Sequence, residues 1–201
     1  SEEENIMDKA VGSKIADYLI KPVNPNQVLL SIKKNVHQQQ LVTEQTTADY
    51  RAEFGRIAAQ VGTARSFEEW CAIYKKIVSW EIELADSTDK SIKEVLSYQK
   101  SEANNEFCKF VRRNYSSWIN RRDEDTPVMS HTLMRNNIFP IVDNNSKTTL
   151  LLIDNFRYDQ WRSINSMLHP CFDVAVDDFY CAILPTATQY ARNAIFAGLM
   201  P

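Results

Sequence analysis

The stretch Thr148-Thr-Leu-Leu-Leu-Ile-Asp154 reads as a strand that carries an acid at its carboxyl end. Its four consecutive apolar residues are typical of a strand that is buried on both faces. A second segment, Leu184-Pro-Thr-Ala-Thr188, leads into a predicted helix from Tyr190 to Ala197. In open α/β sheets, ligands gather beyond the carboxyl ends of the strands. The pattern therefore predicts an α/β domain in which Asp154 and Thr188 lie near one site.

The segments around this pair alternate between helix and strand. A short helix is predicted from Met129 to Phe139, and turn residues at 144–146 separate it from the first strand. Apolar spacing predicts a further helix from Tyr158 to Leu168. Two more strands are expected near 172–176 and 180–184. Residues 126–201 are thus predicted to be the start of an α/β domain.

The middle of the chain, residues 37–125, is predicted to be helical. Its polar first part, 37–49, contains no glycine or proline and can continue a preceding helix as a rigid arm. Ser66 and Glu69 form a capping box, and Thr88 or Asp89 can cap the next helix. Apolar residues recur at helical spacing between residues 50 and 120, which favours a packed three-helix bundle over a cofactor site. The predicted fold class is α/β with an all-α middle.

Residues 1–36 contain a predicted helix over 2–11 and one predicted strand, from Asp17 to Lys21. Asn24 and Pro25 supply the cap and the first residue of the helix that follows. A single strand cannot satisfy its backbone hydrogen bonds alone. This part is therefore expected to be the end of a larger α/β domain, and the chain is expected to be a fragment.

The composition limits the classes of function. The chain has 201 residues, of which 44% are hydrophobic, and a net charge of −3, so no basic surplus indicates binding to duplex nucleic acid or to an anionic membrane. No apolar run reaches the roughly 20 residues of a membrane-spanning helix, and the acidic start does not resemble a secretory signal. The 4 cysteines lack a CxxC spacing and are expected to be reduced. A cytoplasmic location is expected.

Asp154 and Thr188 have a chemical and a structural interpretation. A carboxylate offers a hard oxygen ligand to a metal ion, and a threonine hydroxyl becomes a useful nucleophile when a metal or a base removes its proton. An acid that follows a strand can equally cap a helix, and the sequence Pro-Thr-Ala-Thr can be a turn. The spacing leaves both interpretations open.

The run PTATQYARNAIFAGLMP, residues 185–201, resembles the nucleophile segment of nucleotide pyrophosphatase/phosphodiesterases in the alkaline phosphatase superfamily. Together with IDNFRYDQW it most resembles the PglZ domain of that superfamily. The resemblance implies that Thr188 is the nucleophile and a metal ligand, that Asp154 binds zinc, and that Arg157 can hold a phosphate. Gln189-Tyr190 replaces the aromatic-proline pair of the family pattern, so no substrate preference is implied.

The remaining zinc ligands of that family are aspartates and histidines further along the chain, which would lie beyond Pro201. His131 and His169 match no family position, and both are expected to be surface or loop residues. A catalytic zinc takes at least three protein ligands. This chain is therefore expected to bind zinc weakly or not at all, and to have little activity by itself.

The segment Asp17-Tyr-Leu-Ile-Lys-Pro22 resembles the fifth strand of a response-regulator receiver domain. The resemblance implies that Lys21 contacts an aspartyl phosphate and that Tyr18 is the switch aromatic. An ammonium group suits this role because a phosphoryl group carries about −1.5 to −2 charges at pH 7. The phosphate-accepting aspartate of that fold would precede the present sequence.

The order of receiver end, helical bundle and PglZ start resembles the PorX-like family of response regulators. The family implies phosphorylation by a sensor histidine kinase, a homodimer formed through the receiver, and control of type IX secretion. It also implies a zinc-dependent phosphodiesterase that acts on oligonucleotides. The alternative is a phosphorylation-controlled interaction module without catalysis, which docks a sigma factor or a secretion component. The sequence leaves the choice between enzyme and docking module open.

Overall fold

The computed structural model describes residues 19, 21, 23–120, 125–144 and 147–201. The chain divides into two compact units, Ser1–Glu53 and Phe54–Pro201. The predicted helix over 2–11 and the residue Tyr18 lie outside the described residues, as does most of the predicted strand 17–21. Lys21 is described and is exposed in a bend. The receiver interpretation therefore stays a prediction.

The first unit contains most of a long helix, α1, which spans Pro25–Thr63 and continues into the second unit. The Asn24 side chain accepts a hydrogen bond of 2.9 Å from the backbone N–H of Asn26. Pro25 is the first helical residue, so the predicted cap is confirmed. The helix runs without a break through residues 37–49. The predicted continuous arm is also confirmed, because no residue there interrupts the backbone hydrogen bonds.

Two helices pack with the end of α1 in the second unit: α2, Phe67–Glu83, and α3, Lys90–Ile119. The capping box of Ser66 and Glu69 opens α2, and Asp89 caps α3 through a hydrogen bond of 2.9 Å from the Ser91 N–H. Both caps were predicted and both are confirmed. They satisfy N–H groups that have no partner inside the helix.

Aromatic and aliphatic side chains form the core between these helices. The Trp70 ring lies 5.5 Å from the Phe107 ring and 6.0 Å from the Phe110 ring, measured between centroids. Side-chain hydrogen bonds tie the end of α1 to both other helices. Gln99 Nε2 on α3 donates to the Phe54 carbonyl at 2.9 Å, and Lys76 Nζ on α2 donates to Gln60 Oε1 at 3.0 Å. The bundle, defined as residues 54–119, thus bears out the expected helical middle.

The rest of the chain contains four α-helices and a π-helical turn among its described residues. They are α4, Ser130–Leu133; the π-helix, Met134–Ile138; α5, Phe139–Asn144; α6, Tyr158–Leu168; and α7, Thr188–Ala197. The helix predicted to end at Phe139 therefore extends to Asn144. Gly198 ends α7 in the left-handed region at φ 67°, a conformation that glycine adopts without strain.

The three predicted strands of this region are not formed in the part of the chain that the structure describes. Residues 148–153 and 172–176 are irregular, and the segment 180–184 takes part only in an isolated parallel bridge between Met129 and Cys181. A strand exists only where a neighbouring strand accepts and donates backbone hydrogen bonds. Leu150–Ile153 has the composition of a buried strand, yet Leu151 is 79% exposed. The predicted α/β character is therefore not shown.

His131 lies inside the structure and not on its surface. It belongs to α4, beside the fully buried Ser130, and only 6% of its surface is exposed. The expectation of a surface position is wrong for this residue, because α4 packs against α7. His169 is exposed at the end of α6, as predicted.

Within the part of the chain that the structure describes, no helix is both long and apolar enough to cross a membrane.

Candidate active site

Asp154 lies in a tight turn that leads into α6. The next residue, Asn155, has a φ of 56°, in the left-handed region that asparagine tolerates better than most residues. Two residues later the Arg157 N–H donates to Gln160 Oε1 at 3.0 Å, which satisfies an N–H group at the start of α6. Arg157, and not Asp154, is the N-cap of α6, so the turn leaves Asp154 three residues before the cap and the alternative of a helix-capping aspartate is not formed.

The segment before Thr188 is held by backbone hydrogen bonds to three different residues. The Cys181 N–H donates to the Val128 carbonyl at 2.7 Å, and the Ile183 N–H donates to Ser130 Oγ at 3.1 Å. The Leu184 N–H donates to the Tyr115 hydroxyl oxygen at 2.7 Å. Thr188 follows as the first residue of α7. Its hydroxyl is thus carried by a segment with fixed anchors.

The two predicted site residues meet in the structure. The Thr188 hydroxyl donates a hydrogen bond of 3.3 Å to Asp154 Oδ2, across 34 residues of sequence. Arg192 Nη1 lies 3.7 Å from the same oxygen. Thr188 and Arg192 are four residues apart on α7 and therefore share a helix face. We call Asp154, Thr188 and Arg192 the acid–hydroxyl site.

Tyr180 has a shifted pKa that involves Asp154. Burial raises the pKa of Tyr180, and the negative charge of Asp154 raises this pKa further. Tyr180 therefore retains its proton at neutral pH. The Arg192 guanidinium supplies a positive charge near the carboxylate, in a pair that is half exposed and screened by solvent.

Arg157 was predicted to hold a phosphate beside Asp154, but its guanidinium pairs with Asp159. The distances are 3.0 Å from Nε to Oδ1 and 2.8 Å from Nη2 to Oδ2. This bidentate contact raises the pKa of Arg157 and lowers the pKa of Asp159. The side chain of Arg157 is 63% exposed. Its role as a phosphate ligand stays a prediction.

The donors at this site can be compared with the needs of zinc. Asp154 and Thr188 offer oxygen atoms of a type that zinc accepts, but a catalytic zinc takes three protein ligands. No group of three or more histidine, cysteine, aspartate or glutamate side chains suited to a metal occurs within residues 23–120, 125–144 and 147–201. Among the described residues, Asp154 and Thr188 thus remain the two candidate zinc donors, and zinc binding stays a prediction.

The partly buried Cys71 and the buried Cys181 are poorly suited to act as an alternative nucleophile. All 4 cysteines are free, as expected. Burial raises the pKa of Cys71 to about 12 and the pKa of Cys181 to about 11. A thiol with so high a pKa is not ionised at neutral pH and reacts slowly.

Arg192 is the site residue that the sequence interpretation missed. The signal was present, because a residue four positions after Thr188 on a helix must lie on the same face. The resemblance to the PglZ domain instead implied Arg157 as the basic residue of the site. Lys21 remains a predicted phosphate-sensing residue, and Tyr18 lies outside the described residues.

The class of protein follows from two matches to known families. Residues 40–119 match the PorX response regulator linker domain. Residues 133–201, which contain the acid–hydroxyl site, match the BREX system PglZ alkaline phosphatase-like domain. This combination fits a response regulator with a PglZ-type output domain. The chain is PorX-like. No curated protein matches it significantly.

Proposed function

We propose that the protein is a response regulator whose PglZ-type domain hydrolyses phosphodiester bonds, with Thr188 as the nucleophile. The observation that carries the proposal is the 3.3 Å hydrogen bond from the Thr188 hydroxyl to Asp154, within a region that matches an alkaline phosphatase-like domain. A nucleophile needs a neighbouring group that receives or stabilises its proton. The Asp154 carboxylate, which accepts a hydrogen bond from this hydroxyl, supports that role.

The surroundings of Thr188 suit an anionic substrate. Thr188 begins a helix of 10 residues, and the N–H groups of a first helical turn favour a phosphate through hydrogen bonds and the helix dipole. The Arg192 guanidinium adds a cation within 3.7 Å of Asp154 Oδ2. Arg192 can hold a phosphate oxygen in a bidentate contact when it leaves the carboxylate.

The proposal includes zinc, with Asp154 and Thr188 as two of its ligands. Zinc would supply the Lewis acid that lowers the pKa of the threonine hydroxyl. At least one further protein ligand would be required besides these two residues. Arg157 is proposed to hold the substrate phosphate after release from Asp159.

Upstream signalling is proposed from the receiver resemblance. A sensor histidine kinase would phosphorylate the receiver, with Lys21 and Tyr18 sensing the phosphoryl group, and a homodimer would form through the receiver in the cytoplasm. The substrate class would be oligonucleotides, and the output would contribute to type IX secretion. The continuous helix α1 supports this scheme, because it joins the end of the receiver segment to the bundle without a flexible break.

The test is hydrolysis of a nitrophenyl phosphodiester by the full-length protein that carries this sequence, with zinc present. We expect Thr188→Ala to lower kcat by about a thousandfold or more, as for other nucleophile deletions. Thr186→Ala is the matched control, because Thr186 is an exposed threonine of the same segment. Unchanged hydrolysis in Thr188→Ala would rule out this nucleophile. Absence of hydrolysis in the unmodified protein would favour the docking module instead.

A further inference from the structure

Resting on the proposed function, we infer that the bundle positions the acid–hydroxyl site, because it contacts both loops that carry the site. One contact joins Tyr115 to the segment before Thr188. The other joins Tyr74 and Lys75 to the region around Tyr158, just after Asp154. Tyr115 and Lys75 are therefore positioning residues, which act on the site without touching the substrate.

The first contact is a hydrogen bond to a backbone group close to the nucleophile. The hydroxyl oxygen of Tyr115, a half-buried residue of α3, accepts from the Leu184 N–H at 2.7 Å. Leu184 is four residues before Thr188, and its side chain is 51% exposed. Hydrophobic burial of that side chain therefore does little to fix its backbone. The hydrogen bond to the bundle therefore fixes the backbone directly after the buried Ile183 and four residues before α7 begins at Thr188.

The second contact lies beside the turn that carries Asp154. Lys75 Nζ on α2 donates to the Asp177 carbonyl at 2.6 Å and lies 5.2 Å from the Phe179 ring centroid. The hydroxyl of Tyr158 donates to Asp177 Oδ2 at 3.2 Å. Tyr158 is the first residue of α6, four positions after Asp154. A displacement of Lys75 would therefore be transmitted to the start of α6.

Aromatic packing reinforces the second contact. The Tyr74 ring lies 6.0 Å from the Tyr158 ring and 5.7 Å from the Phe179 ring, and the last two rings lie 4.9 Å apart. Aromatic pairs at such distances stabilise a contact beyond the burial of their surfaces. Beside them a cavity of about 250 Å³ separates α2 from the loop at Asp178. The aromatic cluster and Lys75 are therefore the points at which this loop is fixed to α2.

These two contacts have a common consequence for the site. The Thr188–Asp154 hydrogen bond is 3.3 Å long, beyond the usual O–H···O range of about 2.5–3.0 Å, and its two residues belong to segments that are anchored separately. A shift of either anchor would change this distance. The bundle thus sets the distance between the hydroxyl and the carboxylate.

The test compares Tyr115→Phe with Tyr98→Phe in the full-length protein. The first change removes only the hydroxyl that accepts from Leu184, and the second removes an exposed hydroxyl from the same helix. Amide hydrogen exchange is followed by mass spectrometry in peptides that cover Leu184 and the first hydrogen-bonded amides of α7, Tyr190 and Ala191. We expect exchange about three- to tenfold faster at both places in Tyr115→Phe, the effect of losing one net hydrogen bond.

Hydrolysis provides the second readout. We expect kcat to fall about tenfold in Tyr115→Phe with KM unchanged, because the substrate contacts stay while the reacting geometry loosens. Lys75→Met, which keeps an apolar stem, should likewise lower kcat and leave KM unchanged. Tyr98→Phe should match the unmodified protein in both readouts.

Three outcomes separate the possibilities. Unchanged exchange at Leu184, or faster exchange confined to Leu184 with α7 unaffected, would overturn the positioning role. Faster exchange at α7 with unchanged kcat would also overturn it, provided that Thr188→Ala abolishes hydrolysis. If Thr188→Ala keeps full hydrolysis, the proposed nucleophile is wrong, whereas the exchange data still decide whether the bundle holds the loop.

Discussion

The Ile183 N–H donates a hydrogen bond of 3.1 Å to the hydroxyl oxygen of Ser130, and both residues are fully buried. The bond joins the start of α4 to the segment that carries Thr188, across 53 residues of sequence. A buried N–H group that loses its acceptor has given up its hydrogen bonds to water without replacing them, and this lowers the stability of the fold. This hydrogen bond is therefore a structural requirement of the segment as well as an anchor.

We expect Ser130→Ala to lower the free energy of unfolding by about 1–3 kcal/mol, because it leaves the Ile183 N–H buried without that acceptor. Urea unfolding followed by circular dichroism measures the change. Ser163→Ala is the control, since the Ser163 hydroxyl donates to the Asp159 carbonyl at 2.8 Å on the exposed surface of α6. Equal unfolding midpoints for the two variants would contradict the prediction.

The capping box of α2 predicts a pH-dependent stability. The Glu69 carboxylate accepts from the Arg65 N–H at 2.6 Å and from the Ser66 N–H at 3.1 Å, and these hydrogen bonds lower the pKa of Glu69 from its ordinary 4.5. A lowered pKa means that the folded state favours the ionised form. The stabilisation is then complete above pH 4.5 and disappears as the pH falls through the folded-state pKa.

Glu69→Gln should therefore be less stable than the unmodified chain at pH 7, and the difference should shrink as the pH falls below 4.5. Unfolding free energies from urea titrations at pH 7, 5 and 3 test this. Glu102→Gln, at an exposed position of α3, provides the control and should show no such convergence. A difference that stays constant down to pH 3 would count against the capping role of the carboxylate.

Most helices could be predicted because their signals are local. Asn24, Ser66 and Asp89 each cap a helix through hydrogen bonds to residues two or three positions away. The predicted strand at Leu150–Ile153 failed because its formation depends on a neighbouring strand, about which the local sequence carries no information. Composition alone showed that the segment is apolar. It could not show what would pair with it.

Two residues of the acid–hydroxyl site, Asp154 and Thr188, were predicted from the sequence, whereas Arg192 was not. Asp154 and Thr188 stand out through their positions after a strand-like segment and before a helix. Tyr74 belongs to the stretch 50–120, whose helical spacing favoured packing within the bundle, but it is 38% exposed and packs on Tyr158 and Phe179. Helical periodicity identifies such a face without telling which later segment covers it.

Zinc binding by this chain should be weak. Asp154 and Thr188 supply two donors, whereas tight catalytic sites use three protein ligands. Isothermal titration of zinc is expected to show no site with a dissociation constant below about 1 μM. Asp154→Ala serves as the matched variant. Sub-micromolar binding that disappears in Asp154→Ala would show that the described residues do hold the metal.

The continuity of α1 predicts that it acts as a rigid connector. The helix runs from Pro25 to Thr63 without a glycine until Gly55, so no glycine weakens its polar central part. Insertion of two glycines between Gln39 and Gln40 would introduce residues that each disfavour helix by about 1 kcal/mol, together with a change in helical phase. We expect the insertion to remove most of the change in hydrolysis that receiver phosphorylation produces in the full-length protein.

The control for the connector is an insertion of two alanines at the same place, which keeps the helix but rotates one end by about 200° relative to the other. If the signal depends on the rotational phase of α1, both insertions should remove the response of hydrolysis to phosphorylation. If it depends only on the stiffness of α1, the glycine insertion alone should remove that response. The basal hydrolysis rate without phosphorylation should stay unchanged in both, because the insertions lie outside the acid–hydroxyl site. An undiminished phosphorylation response in the glycine variant would mean that the signal does not travel through α1.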